Sequence, residues 1–207
     1  KFRQEKDSSL KFRHHTMLVH EGVTTTQHKD AVEKLQALWD ERGYNLGRPD
    51  PELRRLFEDD LLPVMRLEKY NAGMPYPETF EELHPYIASA YESLMNQAQP
   101  GKDTDRVYPI LQVDTDAKHV PDFESDRVWK VLVGGAKLSR GYTVEGLTIS
   151  YFRRRAGGAD TLMQTGRWFG FRKGYQDLVR LYAPPTLVEM FEAAMHDENS
   201  FRDNIRA

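Results

Sequence analysis

Five short apolar runs, separated by polar and helical stretches, most restrict the fold of this chain. They are Thr16–His20, Val107–Val113, Val128–Val133, Leu147–Phe152 and Leu178–Tyr182. Each run is almost continuously apolar or β-branched, which is typical of strands that are buried on both faces. Strands of this kind that alternate with helices form a parallel sheet between helical layers. The sequence therefore predicts an α/β fold with a mostly parallel sheet.

Helical spacing of apolar residues is clearest after the first run. It predicts a helix over His28–Arg42, and Gly43 stands where a helix would stop. A second helix is expected over Ala159–Phe169, between the fourth and fifth strands. A third is expected from Pro184 to about Met195.

Residues 48–102 differ from this pattern. Helical patterns begin at Asp50-Pro51 and Pro77-Glu78, with prolines between them. We expect a helical insertion at 48–102, within a sheet domain formed by residues 16–47 and 103–207. The polar residues 1–15, which lack an initiator methionine, are expected to be a solvated linker in a piece of a longer protein.

Composition excludes several classes of function. The 207 residues carry a net charge of −3, which argues against a basic nucleic-acid coat but allows a local basic groove. The absence of cysteine excludes disulfides and thiol catalysis, and it fits a cytoplasmic location. No apolar run is long enough to cross a membrane, so no membrane partner is expected.

The loop from Gly134 to Gly146 concentrates residues that suit phosphate contact. Its four glycines let the backbone approach closely, and Ser139, Arg140 and Thr143 add hydroxyls and a cation. The alternative for Gly134, Gly135 and Gly146 is a tight structural turn.

The segment Gln164-Thr165-Gly166-Arg167, followed by Arg172, offers guanidinium groups suited to a γ-phosphate. The alternative is an arginine pair on a solvated helix face. Arg153-Arg154-Arg155 could contact a nucleic-acid backbone or could form an ordinary charged loop. Thr24-Thr25-Thr26-Gln27 could bind an anion at a helix start or could simply cap that helix.

Two other sites have weaker support. A metal site would need His14, His15, His20 and His28 to converge, although the first two lie in the expected linker. A nuclease centre would need carboxylates and a lysine at close spacing on a strand. Asp114 and Asp116 follow a strand and Asp122 comes later, but all lie in the polar loop 114–127, so no carboxylate-x-lysine partner falls in register. A phosphate-binding loop of the form G-x-x-x-x-G-K-[ST] is also absent, so the chain alone is not a complete P-loop ATPase.

Two linked motifs carry a family resemblance. SRGYTVEGL (139–147) and the Q-x-G-R of 164–167 resemble motifs V and VI in the second RecA-like lobe of superfamily two helicases. The longer string GGAKLSRGYTVEGLTISYF…DTLMQTGRWFGFRKGYQDLVRLY is similar to the Z1 domain family, bacterial proteins described as candidate endonucleases with a helicase-like core. The resemblance implies a RecA-like three-layer domain.

The resemblance also implies roles for individual residues. By analogy with motif V, Ser139, Arg140, Gly141 and Thr143 would contact the nucleic-acid backbone, and Gly141 would couple that contact to the nucleotide. By analogy with motif VI, Arg167 and Arg172 would reach the ATP γ-phosphate, with Gln164 at the first polar position. Thr24 and Arg153 are the further candidates for nucleic-acid contact.

The implied partners are DNA and a first RecA-like lobe of the same protein, which would hold most of the ATP and Mg²⁺. The chain would then be a fragment of an ATP hydrolase, inactive alone, and any nuclease activity would require the full-length protein. Two departures favour an alternative, a non-catalytic interaction module. Ala136 replaces the expected Asp or Asn of motif V, and the motif VI spacing differs from Q-x-x-G-R-x-x-R.

Overall fold

A five-stranded, all-parallel sheet forms the centre of the molecule. The computed structural model describes residues 1–22, 24–43, 51–100, 106–113, 120–135, 144–153 and 173–206. Its strands are β1 (His15–His20), β2 (Gln99–Pro100), β3 (Val107–Tyr108), β4 (Ile110–Val113), β5 (Trp129–Gly134), β6 (Leu147–Phe152) and β7 (Arg180–Tyr182). The sheet order is β4-β5-β1-β6-β7, and β2 and β3 form a separate antiparallel pair. The predicted α/β class with a parallel sheet is confirmed.

One face of the sheet is covered by helix α2 (Thr25–Arg42). Ala31 of α2 is buried in a cluster with Val19, Ile110 and Val133 of the strands, because β-strand side chains alternate between the two faces. The helix ends at Gly43, whose φ of 49° is in the left-handed region, as the sequence predicted.

The opposite face is covered by the C-terminal helix, Pro185–Arg206, which we call α7. Leu187 of this helix is buried in a cluster with Leu18, Leu132 and Phe152. Full burial of side chains of this size stabilises a fold by about 1.5–3 kcal/mol each. The sheet is therefore the middle of three layers, as expected for a RecA-like domain.

Helices occupy the chain between α2 and β2, where the sequence predicts a helical insertion. They are α3 (Pro51–Leu56), a π-helical turn (Phe57–Leu61), α4 (Leu62–Met65), α5 (Glu68–Asn71) and α6 (Phe80–Met95). A third cluster joins them around the buried rings of Phe57 and Phe80. Arg180 of β7 binds Asp60 with its Nε at 2.9 Å from Oδ1, so the helices are attached to the edge of the sheet.

The start of the chain differs from the expected solvated linker. Residues Phe2–Lys6 form a short helix, α1, and Arg3 is buried on it. The guanidinium of Arg3 donates to both carboxylate oxygens of Asp177 and to the carbonyls of Pro75 and Gly174. Polar composition predicted exposure, and residues 5–9, 11 and 13 are exposed, but these four bonds bury Arg3 against distant parts of the chain.

Other boundaries also differ from those predicted. Pro109 divides the predicted strand 107–113 between β3 and β4, because proline cannot donate to a strand ladder. Before β7 the chain forms a 3₁₀ turn at Gln176–Leu178, so the last strand is shorter than predicted. Helix α7 continues past the predicted end at Met195. The predicted helix 159–169 lies outside the described residues.

Among the residues the structure describes, no helix has both the length and the apolar character needed to span a membrane.

Candidate functional site

The carboxyl ends of β5, β1 and β6 lie side by side at one edge of the sheet. Val19 pairs with Val133 on one side and with Tyr151 on the other. After β1 the chain forms β4 and β5 on one side of β1, and it then crosses over to form β6 and β7 on the other side. The strand order therefore reverses at β1. In open α/β sheets, ligands bind outside the carboxyl ends of the strands at such a point.

Thr24 caps helix α2 at this edge. Its hydroxyl accepts a hydrogen bond from the Gln27 amide at 3.3 Å, and its own amide donates to Oε1 of Gln27 at 3.1 Å. These reciprocal bonds form a capping box. The capping interpretation of Thr24 is therefore confirmed, and its contact with nucleic acid stays a prediction.

Gly135 brings the end of β5 against helix α2. The imidazole of His28 is buried there, with Nε2 at 3.2 Å from the Gly22 carbonyl oxygen. A Cβ at position 135 would lie 2.9 Å from Cε1 of His28, so a larger residue would displace the ring. The space beside Gly135 is thus filled by His28, and this glycine serves packing.

The structure also requires glycine at position 146, at the other end of the same loop. Its φ is +64°, and a Cβ there would lie 2.4 Å from the carbonyl oxygen of His14. Of the loop glycines in the described residues, Gly135 and Gly146 both fit the structural interpretation. They fix where the loop leaves β5 and enters β6.

Arg153 follows the last residue of β6 and lies beside the end of β1. Its amide donates to the carbonyl of His20 at 3.0 Å, which extends the ladder between the two strands. Its side chain is 62% exposed, and Nη1 lies 3.3 Å from Oε1 of Glu21. Arg153 therefore presents a cation at the same edge as Thr24. Glu21 was not singled out in the sequence, because its pairing depends on β6 lying next to β1.

The remaining predicted site residues lie outside the described residues. They are Ser139, Arg140, Gly141 and Thr143 in the segment after β5, and Gln164, Arg167 and Arg172 in the segment after β6. Both segments follow strands that end at this edge of the sheet.

The histidines weighed as metal ligands are separated by the length of β1. His14 and His15 lie at its start, whereas His20 is its last residue. The described part of the chain holds no group of three or more His, Asp or Glu side chains placed to bind a metal.

The carboxylates weighed for a nuclease centre give no site in the described residues. Asp114 and Asp116 lie outside them. Asp122 accepts hydrogen bonds at 2.9 Å from the Glu124 amide and from the Ser125 hydroxyl. These two bonds, the amide first, lower the pKa of Asp122. Asp122 therefore stabilises a local turn.

The fold and this edge define the class of the protein: a three-layer α/β domain with a parallel sheet whose strand order reverses at β1. The chain belongs to the Z1 domain family, whose family model matches residues 1–207. No curated protein and no solved structure matches the chain.

Proposed function

We propose that this chain is the second RecA-like lobe of a helicase-like ATPase of the Z1 family that acts on DNA. One observation carries the proposal: β5 and β6 end on either side of β1. The motif V-like and motif VI-like segments follow these two strands, so they start at neighbouring points of one edge. Membership of the Z1 family and the three-layer fold agree with this interpretation.

In the proposed arrangement, the loop 134–146 grips one DNA strand through Ser139, Arg140 and Thr143. Arg153 adds a cation beside it, and the amides at the start of α2 near Thr24 face the same edge. Contacts of this kind hold the backbone phosphates without reading base sequence.

Arg167 would act across a cleft on the nucleotide of a first lobe, with Arg172 and Gln164 in support. ATP and Mg²⁺ would be held mainly by that first lobe, because the described residues here contain no phosphate-binding loop and His28 fills the space beside Gly135. Bound there, they would supply the phosphoryl group whose hydrolysis changes the cleft. Gly141 would link DNA contact to that change.

DNA binding tests the first half of the proposal. In fluorescence anisotropy with a labelled single-stranded DNA, Arg153→Ala should weaken binding about fivefold to tenfold. It should also reduce the slope of log K against log salt by about 1, because one phosphate contact is lost. Arg55→Ala is the matched control, since Arg55 is an exposed arginine on α3, outside the proposed edge. Equal effects of the two substitutions would contradict the proposed edge.

ATP turnover of the intact protein tests the second half. Arginine fingers contribute about 10³–10⁵-fold to turnover, so Arg167→Ala should lower it at least about 10³-fold while DNA binding persists. Arg167→Lys keeps the charge but not the planar fork, and it should remain strongly impaired. Turnover that survives Arg167→Ala would remove the finger assignment.

A non-catalytic interaction module is the second candidate, and Ala136 with the altered motif VI spacing favours it. It predicts DNA binding that depends on Arg153 without any ATP turnover by the intact protein. Nuclease activity would instead appear as metal-dependent cleavage that is lost on substitution of Asp114 or Asp116.

A further inference from the structure

A cavity of about 670 Å³ lies at the amino edge of the sheet, opposite the proposed DNA edge. It is lined by residues that precede β1, by the starts of β5 and β6, and by helix α6 of the insertion. The six residues of β1, about 20 Å of strand, separate it from the carboxyl edge. Its volume falls within the range of about 300–1,000 Å³ that is typical of small-molecule sites.

The walls of the cavity are largely aromatic. Two pairs of rings in the lining pack edge to face. The centroids of Phe2 and Tyr86 lie 5.5 Å apart, and those of Phe12 and Tyr175 lie 5.8 Å apart. Trp129 at the start of β5 adds a larger ring. Walls of this kind favour a flat ring system over a sugar or an inorganic ion.

The charged side chains of the lining leave an excess of positive charge. Four cations face two carboxylates: Lys1, Arg3, Lys11 and Arg13 against Glu124 and Glu145. The buried carboxylate of Asp177 offsets Arg3, so three cations remain for two carboxylates, an excess of one. A lining with this excess attracts a ligand with a single negative charge.

Groups just outside the lining do not remove this excess. Two nearby cations, Lys6 and Arg127, lie over the rings of Phe2 and Trp129. Two nearby carboxylates balance them, because Glu5 accepts a hydrogen bond from Tyr86 and Glu92 acts on Lys1. Burial lowers the pKa of both His14 and His15, so neither imidazole contributes a charge at pH 7.

Lys11 and Arg13 are the cations best placed to bind an anion. Lys11 is exposed, and its ammonium makes no hydrogen bond or ion pair with another residue that the structure describes. Arg13 donates to the carbonyls of Glu124 and Ser125 at 2.8 and 2.6 Å, which hold its guanidinium without neutralising the charge. The remaining N–H groups of a fixed, planar guanidinium match the geometry of a carboxylate.

His15 adds a neutral polar group to the lining. Its ring centroid lies 5.2 Å from that of Trp129, and its imidazole makes no hydrogen bond to any other residue that the structure describes. The pKa of His15 falls to about 4 on burial. The N–H of a neutral imidazole can donate one hydrogen bond to a ligand oxygen.

We propose that this cavity binds a flat aromatic carboxylate with a single negative charge. The ring packs against the aromatic walls, and the carboxylate lies at Lys11 and Arg13. The imidazole of His15 is available for one hydrogen bond to the ligand. The site lies at the opposite edge from the proposed DNA and nucleotide contacts, so it does not depend on the proposed function.

A series of ligands with one ring system and different charges tests the proposal. In saturation-transfer NMR on the 207-residue chain at pH 7.5, we expect 2-naphthoate to bind with a Kd of about 1 mM. The neutral 2-naphthamide should bind at least about fivefold more weakly, and 2-naphthylmethylammonium more weakly still. The net charge of −3 would favour the ammonium if attraction to the whole protein decided binding. The amide or the ammonium binding as tightly as the carboxylate would overturn the proposal.

Charge reversal tests the position of the carboxylate. Lys11→Glu should weaken 2-naphthoate binding about tenfold, because one attraction is replaced by a repulsion, and should leave 2-naphthamide within about twofold. Lys34→Glu is the matched control, since Lys34 is an exposed lysine on α2 outside the lining. It should change the binding of neither ligand. Equal effects of the two substitutions on 2-naphthoate would contradict the assignment.

Cavity filling separates this site from surface binding. Ala90→Phe places a ring in the cavity and should abolish saturation transfer to 2-naphthoate. Val188→Phe adds the same ring to the exposed face of α7 and should change nothing. If Ala90→Phe fails to fold, the ring signals of His15 in the wild-type chain decide, because a bound naphthalene would shift them. Unmoved His15 signals, or saturation transfer that persists in folded Ala90→Phe, would overturn the proposal.

Discussion

The ion pair between Arg3 and Asp177 should be among the most sensitive points of the fold. Arg3 is 6% exposed and Asp177 is 0% exposed, although they lie 174 positions apart in the chain. Nη1 of Arg3 lies 2.9 Å from Oδ1 of Asp177, and Nη2 binds Oδ2 in the same fork. The same guanidinium also satisfies the carbonyls of Pro75 and Gly174, at 2.9 and 2.7 Å.

Removal of one partner leaves a buried charge. Arg3→Ala leaves the Asp177 carboxylate buried without its partner. The loss of one partner of a buried pair lowers the free energy of unfolding by about 3–5 kcal/mol. The double variant Arg3→Met/Asp177→Leu removes the charge as well. In the double variant the main loss is the donor to the Pro75 and Gly174 carbonyls, which costs about 1 kcal/mol of stability for each. The double variant should therefore be more stable than Arg3→Ala alone.

Urea unfolding followed by tryptophan fluorescence measures these free energies. Arg55→Ala is the control, because Arg55 is 84% exposed and lies 3.7 Å from Asp59 in an i,i+4 pair. Its loss should change the free energy of unfolding by at most about 0.5 kcal/mol. The reasoning is refuted if Arg3→Ala stays within about 1 kcal/mol of the wild type, or if the double variant is less stable than the single one.

Two further predictions concern the glycine at the start of β6 and the buried imidazole. Gly146→Ala should cost at least about 2 kcal/mol more than Gly73→Ala, because both have positive φ but only Gly146 would clash with the His14 backbone. Equal changes in melting temperature would contradict this. The pKa of His15 falls from 6.5 to about 4 on burial, so the unfolded chain binds more protons and stability should rise with pH across that window. The free energy of unfolding should rise by at most about 3 kcal/mol. The prediction would be wrong if the urea midpoint changed by the same amount between pH 4.5 and 7 in His15→Gln as in the wild type.

The strands of the sheet could be read from the sequence because burial on both faces demands continuous apolar runs. The predicted bounds of β6, Leu147–Phe152, are those observed. The predicted strand bounds were wrong where the first residues of an apolar run form a turn instead of pairing with the neighbouring strand. Leu178 belongs to a 3₁₀ turn, and its side chain packs against the insertion, so β7 starts later than predicted.

The segments that carry the candidate site residues could be located in the sequence, because each of them follows an apolar run. The contacts that support this edge of the sheet could not be predicted. The fit of Gly135 against His28 depends on how α2 crosses the end of β5. The burial of Arg3 depends on an aspartate far along the chain. Neither leaves a local signal, because each requires the tertiary arrangement to be known first.

The two edges of the sheet bear on how this protein behaves at high concentration. An unpaired strand edge is a template for pairing with another chain, and long flat edges lead to aggregation. Here β4 has four residues and follows Pro109, whereas β7 has three and follows a 3₁₀ turn. Arg180 on β7 is also held by Asp60 of the insertion. Short, interrupted edges of this kind disfavour strand addition between molecules, so the insertion, through Asp60, contributes to colloidal stability as well as to the fold.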